Sequence, residues 1–317
     1  MKFKLVSAML SLCASFCSLN SYATVYPTQV TAENGKVTIQ KKPERIIVLE
    51  FGILDELKLL GVKPIGMGKS DNTEGQDPAH LQEFIKDIAS VGTRDEPSLE
   101  AIAKLKPDLI IGDASFVMNI LPQLNRIAPT ILMNGILGDP KEQIKNLHTL
   151  AKITNTENKV PGIISHYEKI RTHALNVAAK SKKKTVLIGY ITPSGVFRAL
   201  TSNAIATPIL NELNKENLVK ETDVMHRIEM TVEGVISKNP DQIAILLTDG
   251  NMDPYKKLEK NPLWKDVRAL KEDQIYFLDR NVWAKTHGIE AMEIMYKEAE
   301  TSGFLEAIPQ SKKAKLN

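Results

Sequence analysis

Cysteine is almost missing from this 317-residue chain, and the two that occur, Cys13 and Cys17, sit together near its start. They fall inside an apolar run, Leu5 to Leu19, that follows Lys2 and Lys4 and ends in Ser21-Tyr22-Ala23. A positive end, a short apolar core and small residues at −3 and −1 predict a secretory signal over residues 1–23, cut after Ala23. Leu12 and Phe16 precede the cysteines where a lipid-anchoring signal needs a small residue, so no lipid anchor is expected. The mature chain then has no cysteine, which excludes a disulfide, a thiolate nucleophile, an iron–sulfur cluster and a cysteine zinc site. The apolar run is too short for a membrane span, and no later run is longer. Charge of one sign is also missing. Without Lys2 and Lys4 the chain has 39 basic against 38 acidic residues, giving no global field for nucleic acid or a membrane surface. Aromatic residues are only 5%, as aliphatic α/β cores expect.

Catalytic signatures are lacking as well. There is no Gly-x-Ser-x-Gly and no His-Glu-x-x-His. Gly66-Met-Gly68 lacks the rest of a nucleotide fingerprint, and no phosphate-binding loop motif occurs. His80, His148, His166, His173 and His226 are scattered without a usable metal spacing, so no direct protein–metal site is expected. These absences favour binding over catalysis, with an exported α/β enzyme as the remote alternative.

What is present is a helical rod in mid-chain. Val160, Ile163, Ile164, Tyr167, Ile170, Ala174, Val177 and Ala178 recur at helical spacing. The rod starts either at Pro161, where a missing N–H does no harm, or at Thr154 with Glu157 as a capping box and a kink at Pro161. The segments on either side of it echo each other. Residues 97–111 carry Ser98, Glu100 and Pro107-Asp108; residues 230–244 carry Thr231, Glu233 and Pro240-Asp241 in the same order. Ile53-Leu54-Asp55-Glu56-Leu57 matches Ile209-Leu210-Asn211-Glu212-Leu213. Two matched units predict two lobes of similar build.

Strands and helices alternate in both halves, which predicts an α/β fold of two Rossmann-like lobes with mostly parallel sheets. The expected division is an N-terminal lobe over 24–155, a connecting helix over 156–183, a C-terminal lobe over 184–308 and a flexible basic tail over 309–317. Expected strands include Arg45–Glu50, Leu109–Gly112, Thr130–Met133, Thr185–Tyr190, Gln242–Leu247 and Gln274–Leu278. Leu81–Ala89 reads as helical and Thr93–Glu96 as a loop.

In such sheets ligands sit beyond the carboxyl ends of the strands. That rule selects Glu50, Phe51, Arg94, Ser115 and Asn134 in the first lobe. In the second it selects Tyr190, Ile191, Thr248, Asp249 and the run from Arg280 to His287, with Trp283 and Lys285. Arg198, inside a strand, and Arg227, in the loop before the Glu233 helix, complete the set. Arginines facing each other across a cleft suit carboxylate or phosphate. Each residue has a plainer reading: Arg94 could pair with Asp95 or Glu96, Glu50 could cap a helix, and Trp283 could anchor the core.

The residues Arg45-Ile-Ile-Val-Leu-Glu50, Val91-Gly-Thr-Arg94, Pro97-Ser-Leu-Glu100-Ala-Ile102 and Lys106-Pro-Asp-Leu-Ile-Ile111 resemble the helical-backbone substrate-binding proteins of bacterial ABC importers. Asn261-Pro-Leu-Trp264 and Asn281-Val-Trp-Ala284 narrow the resemblance to its ferric dicitrate branch. The resemblance implies two lobes joined by one stiff helix, little closure on ligand, and a monomer in the periplasm. It implies iron(III) held by a chelator, with no cofactor and nothing transformed. The chelate would be ferric citrate, or else a catecholate, a hydroxamate or haem, for which Tyr190 and His287 could serve as axial ligands. It further implies that Glu100 and Glu233 dock on arginines of the permease dimer in the inner membrane.

Overall fold

The computed structural model describes residues 24–70, 76–136, 138–220 and 226–313. The expected signal segment lies outside them, as do residues 314–317 of the expected tail.

A hairpin of β1 (Thr28–Ala32) and β2 (Gly35–Ile39) opens the chain. The first sheet contains β3 (Ile46–Val48), β4 (Gly66–Lys69), β5 (Ala89–Thr93), β6 (Leu109–Asp113) and β7 (Thr130–Met133), in the order β5-β4-β3-β6-β7 with every pairing parallel. Between these strands come α1 (Phe51–Leu59), α2 (Gln82–Ile85), α3 (Leu99–Lys104), α4 (Ala114–Val117) and α5 (Leu121–Leu124). Next come α6 (Pro140–Thr154) and the connecting helix α7 (Val160–Ala178).

The second sheet has the order β11-β9-β8-β12-β13, with the short β10 (Glu216–Asn217) also pairing with β8. Its other strands are β8 (Thr185–Ile191), β9 (Phe197–Leu200), β11 (Arg227–Met230), β12 (Gln242–Leu247) and β13 (Ile275–Asp279). The pairings of β8, β12 and β13 are parallel, and those of β9 with β8 and β11 are antiparallel. Helices α8 (Ala206–Glu212), α9 (Val232–Lys238), α10 (Asp253–Leu258), α11 (Arg268–Lys271), α12 (Arg280–Trp283) and α13 (Ile289–Thr301) complete this lobe.

The sequence echo is an echo of local physics. Ser98 caps α3 by accepting from the N–H of Ala101, and Thr231 caps α9 by accepting from that of Gly234. Each helix leads to a residue with φ of 48°, Lys106 or Asn239, directly before the Pro-Asp pair. The aspartate then turns back to the neighbouring strand. Asp108 accepts from the N–H groups of Glu44 and Arg45 ahead of β3, and Asp241 from those of Lys184 and Thr185 at β8. Both aspartates satisfy donors at the start of a central strand.

The connecting helix begins at Val160 with Pro161 in its first turn, so the capping-box start at Thr154 is not used. Asn155, with φ of 56°, closes α6 instead, and Glu157 accepts from the Thr24 hydroxyl. Helix α7 lies along α13, where Tyr167 and Tyr296 meet at 6.2 Å between ring centroids. Tyr296 and Arg171 both bond Glu212, at 2.6 and 2.8 Å. Apolar packing here is continuous between lobes: Leu54 and Leu57 of α1, Leu147 and Leu150 of α6, Tyr167 of α7, and Met292 and Tyr296 of α13 share one buried cluster. Gly52 and Gly288 allow the closest approach, since a Cβ on Gly288 would stand 2.5 Å from the Asp55 side chain. Opening the two lobes from this side would expose a dry core, which opposes large hinge motion.

Several local expectations differ from the structure. Residues 89–93 are a strand, and the helix before them ends at Ile85. This is an edge strand in which the strand formers Val and Thr are diluted by Ala, Ser and Gly, so its β-signal is weak. Arg227 begins strand β11, which pairs Glu229 with Arg198 on β9. Within the expected flexible tail, Gln310–Lys313 form a helical turn, tied by the Ser311 N–H to Asp273 at 2.7 Å.

Candidate ligand-binding site

Two adjoining cavities open between the lobes. The larger, about 750 Å³, is lined by Tyr190, Thr192, Arg198, Arg227, Asp249 and Arg280, with Asp95 reaching in from the first lobe. The smaller, about 200 Å³, has first-lobe walls from Arg94, Asp95, Phe116 and Ile136. Its second-lobe walls include Tyr190, His226, Arg227, Arg280, Lys285 and His287. Tyr190, Arg227, Arg280 and Asp95 border both cavities.

Each arginine is held in its own way. Arg94 leaves the end of β5 into a buried slot, with its guanidinium 4.3 Å from the Phe51 ring centroid and 5.4 Å from that of Phe116. It is 3.5 Å from Glu50 and donates to the Lys285 carbonyl at 3.3 Å. Among the described residues it pairs with Glu50 rather than with Asp95 or Glu96. Arg280 opens α12, lies 4.1 Å over the Tyr190 ring and donates to the Thr248 hydroxyl at 3.1 Å. An aromatic face attracts a cation and fixes the plane of the guanidinium against it. Arg198 donates twice to Glu229, at 2.8 and 3.1 Å, on the half-exposed rim. Arg227 is 2.9 Å from the His226 ring nitrogen.

Glu50 and Trp283 do not line either cavity. Glu50 is fully buried beneath the floor, where its carboxylate caps α1 by accepting from the N–H groups of Gly52 and Ile53. Burial pushes its carboxyl up to about 7, the Arg94 charge opposes that rise, and the Asp113 charge adds to it. Trp283 is completely buried and donates its indole N–H to Glu298 at 2.7 Å, which makes it a core anchor. Ser115 and Asn134 are likewise outside the lining. The Ser115 N–H donates to Asp113, and the Asn134 carbonyl accepts from Asn146.

His287 is buried on the wall of the smaller cavity with Nδ1 3.3 Å from the Gly135 carbonyl. Burial lowers its pKa to about 3, assisted by the Arg94 charge, so the ring is neutral at ordinary pH. Positive charge in the cleft comes from the arginines and Lys285. Phe116, Ile136, His226 and Tyr255 also line the cavities and were not singled out in the sequence. Phe116 directly follows Ser115 and Ile136 lies two residues past Asn134, so two of the first-lobe signals fall one or two residues short of the wall, whereas His226 adjoins Arg227, which itself lines both cavities.

Away from the cleft, Glu100 and Glu233 are exposed in the first turns of α3 and α9. They occupy equivalent places in the two echoed units. An anionic side chain is favoured at such a helix end.

The geometry agrees with comparisons to known proteins. The family described as periplasmic binding protein matches residues 46–282. The Fe(3+)-citrate-binding protein YfmC of Bacillus subtilis is 33% identical over 268 residues, covering 84% of this chain and 82% of that protein. The Fe(3+) dicitrate-binding periplasmic protein FecB of Escherichia coli is 30% identical over 270 residues, covering 84% and 87%. Among solved structures, Staphylococcus aureus SirA complexed with staphyloferrin B superposes with a TM-score of 0.71 at 24% identity, covering 89% of this chain and 100% of that one. The petrobactin-binding protein YclQ of Bacillus subtilis gives 0.73 at 24% identity, covering 88% and 98%. These structures share the two-lobed fold. With its two α/β lobes, its continuously packed joint and its basic cleft, the chain belongs to the periplasmic binding protein family.

Proposed function

We propose that the protein captures ferric citrate in the cleft and presents it to an ABC importer. The observation that carries this reading is the convergence of Arg94, Arg198, Arg227, Arg280 and Lys285 on two connected cavities. Citrate would wrap the iron and turn carboxylate oxygens outward, so the protein meets an anion rather than a bare metal. Guanidinium forks match carboxylates in shape as well as charge. Arg280 and Arg94, fixed by aromatic faces, would form the inner contacts, with Arg198 and Arg227 at the rim. Lys285 and neutral His287 would close the small cavity. Glu100 and Glu233 would dock on the permease, one from each lobe. The cargo is released unchanged, and no group on the protein acts chemically on it.

A catecholate cargo is the second reading. Tyr190 and Tyr255 in the larger cavity supply aromatic faces that such a ligand would use. Native mass spectrometry with equal concentrations of ferric citrate, a ferric catecholate, a ferric hydroxamate and haem separates the readings. A single dominant adduct with ferric citrate is the expected result. A dominant catecholate adduct would transfer the assignment to the second reading.

A further inference from the structure

Behind the cleft, where α13 meets the first lobe, three metal-ligating side chains converge that ligand capture does not use. Asp55 on α1 is fully buried and accepts from the backbone N–H groups of Glu290, at 3.2 Å, and Ala291, at 2.8 Å. His80 belongs to the short turn Ala79–Leu81, and Glu290 to the first turn of α13. One ligand atom from each of the three residues lies within 4.8 Å of the other two. His80 Nε2 is 3.7 Å from Asp55 Oδ2. The His80 side chain is 8% exposed, and neither ring nitrogen has a hydrogen-bond partner. A buried imidazole with both nitrogens idle is costly, and beside two carboxylates it is a poised ligand.

We propose that Asp55, His80 and Glu290 form a site for a divalent transition-metal cation of the zinc class, stapling α13 to the first lobe. One imidazole nitrogen and two carboxylate oxygens leave a fourth tetrahedral position for water. The N–H donors of Glu290 and Ala291 fix the Asp55 carboxylate, and each oxygen keeps a further lone pair for the ion. Lys58 is the built-in competitor. Its ammonium is 2.6 Å from Glu290 and 2.7 Å from the His80 carbonyl. Binding therefore exchanges that ammonium for the ion at Glu290. The site joins the lobes at their shared core, so occupancy strengthens the joint and leaves the cargo cavities alone.

The test uses the untagged full chain after chelator treatment, titrated with zinc and followed by calorimetry and thermal melting. One ion should bind and raise the melting temperature by several degrees. His80→Ala should abolish the shift, and Lys58→Met should tighten binding several-fold. Cobalt in place of zinc should give a visible absorption band in the wild type that His80→Ala loses. Affinity for ferric citrate should be unchanged in all of these. Should His80→Ala fail to fold, Glu290→Gln decides, since Glu290 is partly exposed and the change preserves shape. An unshifted wild-type melt with zinc would overturn the proposal. So would a shift that survives in the variants, which would place the ion at surface pairs such as His166 with Glu293 or His173 with Glu300.

Discussion

Ser98, Glu100, Lys106 and Asp108 in the first lobe do the same four jobs as Thr231, Glu233, Asn239 and Asp241 in the second. Each set caps a helix, presents a glutamate, turns the chain and ties down a central strand. Around that common unit the lobes diverge. The first sheet is wholly parallel and sends one buried arginine into the cleft, sandwiched between Phe51 and Phe116. The second adds antiparallel strands β9 and β11, and these carry Arg198 and Arg227 to the cavity rim. What stays alike is the outer surface, where one partner with twofold symmetry could read both glutamates. What differs is the inner surface, where the two lobes line the cavities with different side chains.

Reversing the shared feature should have the largest effect. Glu100→Arg with Glu233→Arg should stop iron-chelate uptake in cells while leaving binding by the purified protein intact. Normal uptake by that double variant would break the equivalence of the two units. Either single change should reduce uptake less than the pair.

The next effect separates the lobes. Arg94→Ala removes the cation that opposes protonation of the buried Glu50 and the packing of its guanidinium on Phe51 and Phe116, and should cost more than the rim change Arg198→Ala. Arg198→Ala breaks a half-exposed pair with Glu229 and should cost under about 1 kcal/mol in stability. Urea unfolding of the two variants checks the contrast, and equal losses would contradict it.

A pH series sharpens it further. Burial raises Glu50 from 4.5 to about 7, so the folded state holds its proton longer than the unfolded chain. Its contribution therefore falls as pH rises from about 4.5 to about 7. Lys215 in the second lobe is the opposite case, lowered from 10.5 to about 7 by burial. Below about 7 its charge is buried at full cost, and stability is regained as pH climbs from there towards 10.5. Thermal melts across this range should show both limbs. Glu50→Gln should make the acid limb shallower and leave the alkaline one, with the buried and likewise raised carboxyls of Glu56 and Glu298 supplying the slope that remains. The smallest effect tests the caps: Ser98→Ala and Thr231→Ala should each cost about 1 kcal/mol.

The repeated unit was legible in the sequence because each part of it is local. A hydroxyl, a glutamate and a Pro-Asp pair at fixed spacing specify a cap, a helix turn and a strand start without help from the rest of the chain. The second-lobe lining was legible for a similar reason. Tyr190 and Ile191 close strand β8, Thr248 and Asp249 follow β12, Arg280 follows β13, and all border the larger cavity. In the first lobe the same rule stopped short. It selected Glu50, Phe51, Arg94, Ser115 and Asn134, of which Arg94 alone lines the smaller cavity, beside Asp95, Phe116 and Ile136. Backbone N–H groups there fold inward onto Glu50 and Asp113, which moves the exposed positions further along the chain. Strands β5 and β11 were not legible because edge strands of mixed composition depend on their neighbours for their conformation. The Asp55–His80–Glu290 cluster draws on residues far apart in sequence and leaves no motif.

Calorimetric titration of ferric citrate into the wild type and into Arg227→Ala/Arg280→Ala tests the central claim most directly. The expected result is saturable one-to-one binding by the wild type, with affinity reduced about 100-fold or more in the double variant, as the loss of two charge-assisted contacts predicts. No binding by the wild type, or equal affinities for the two proteins, would contradict the account.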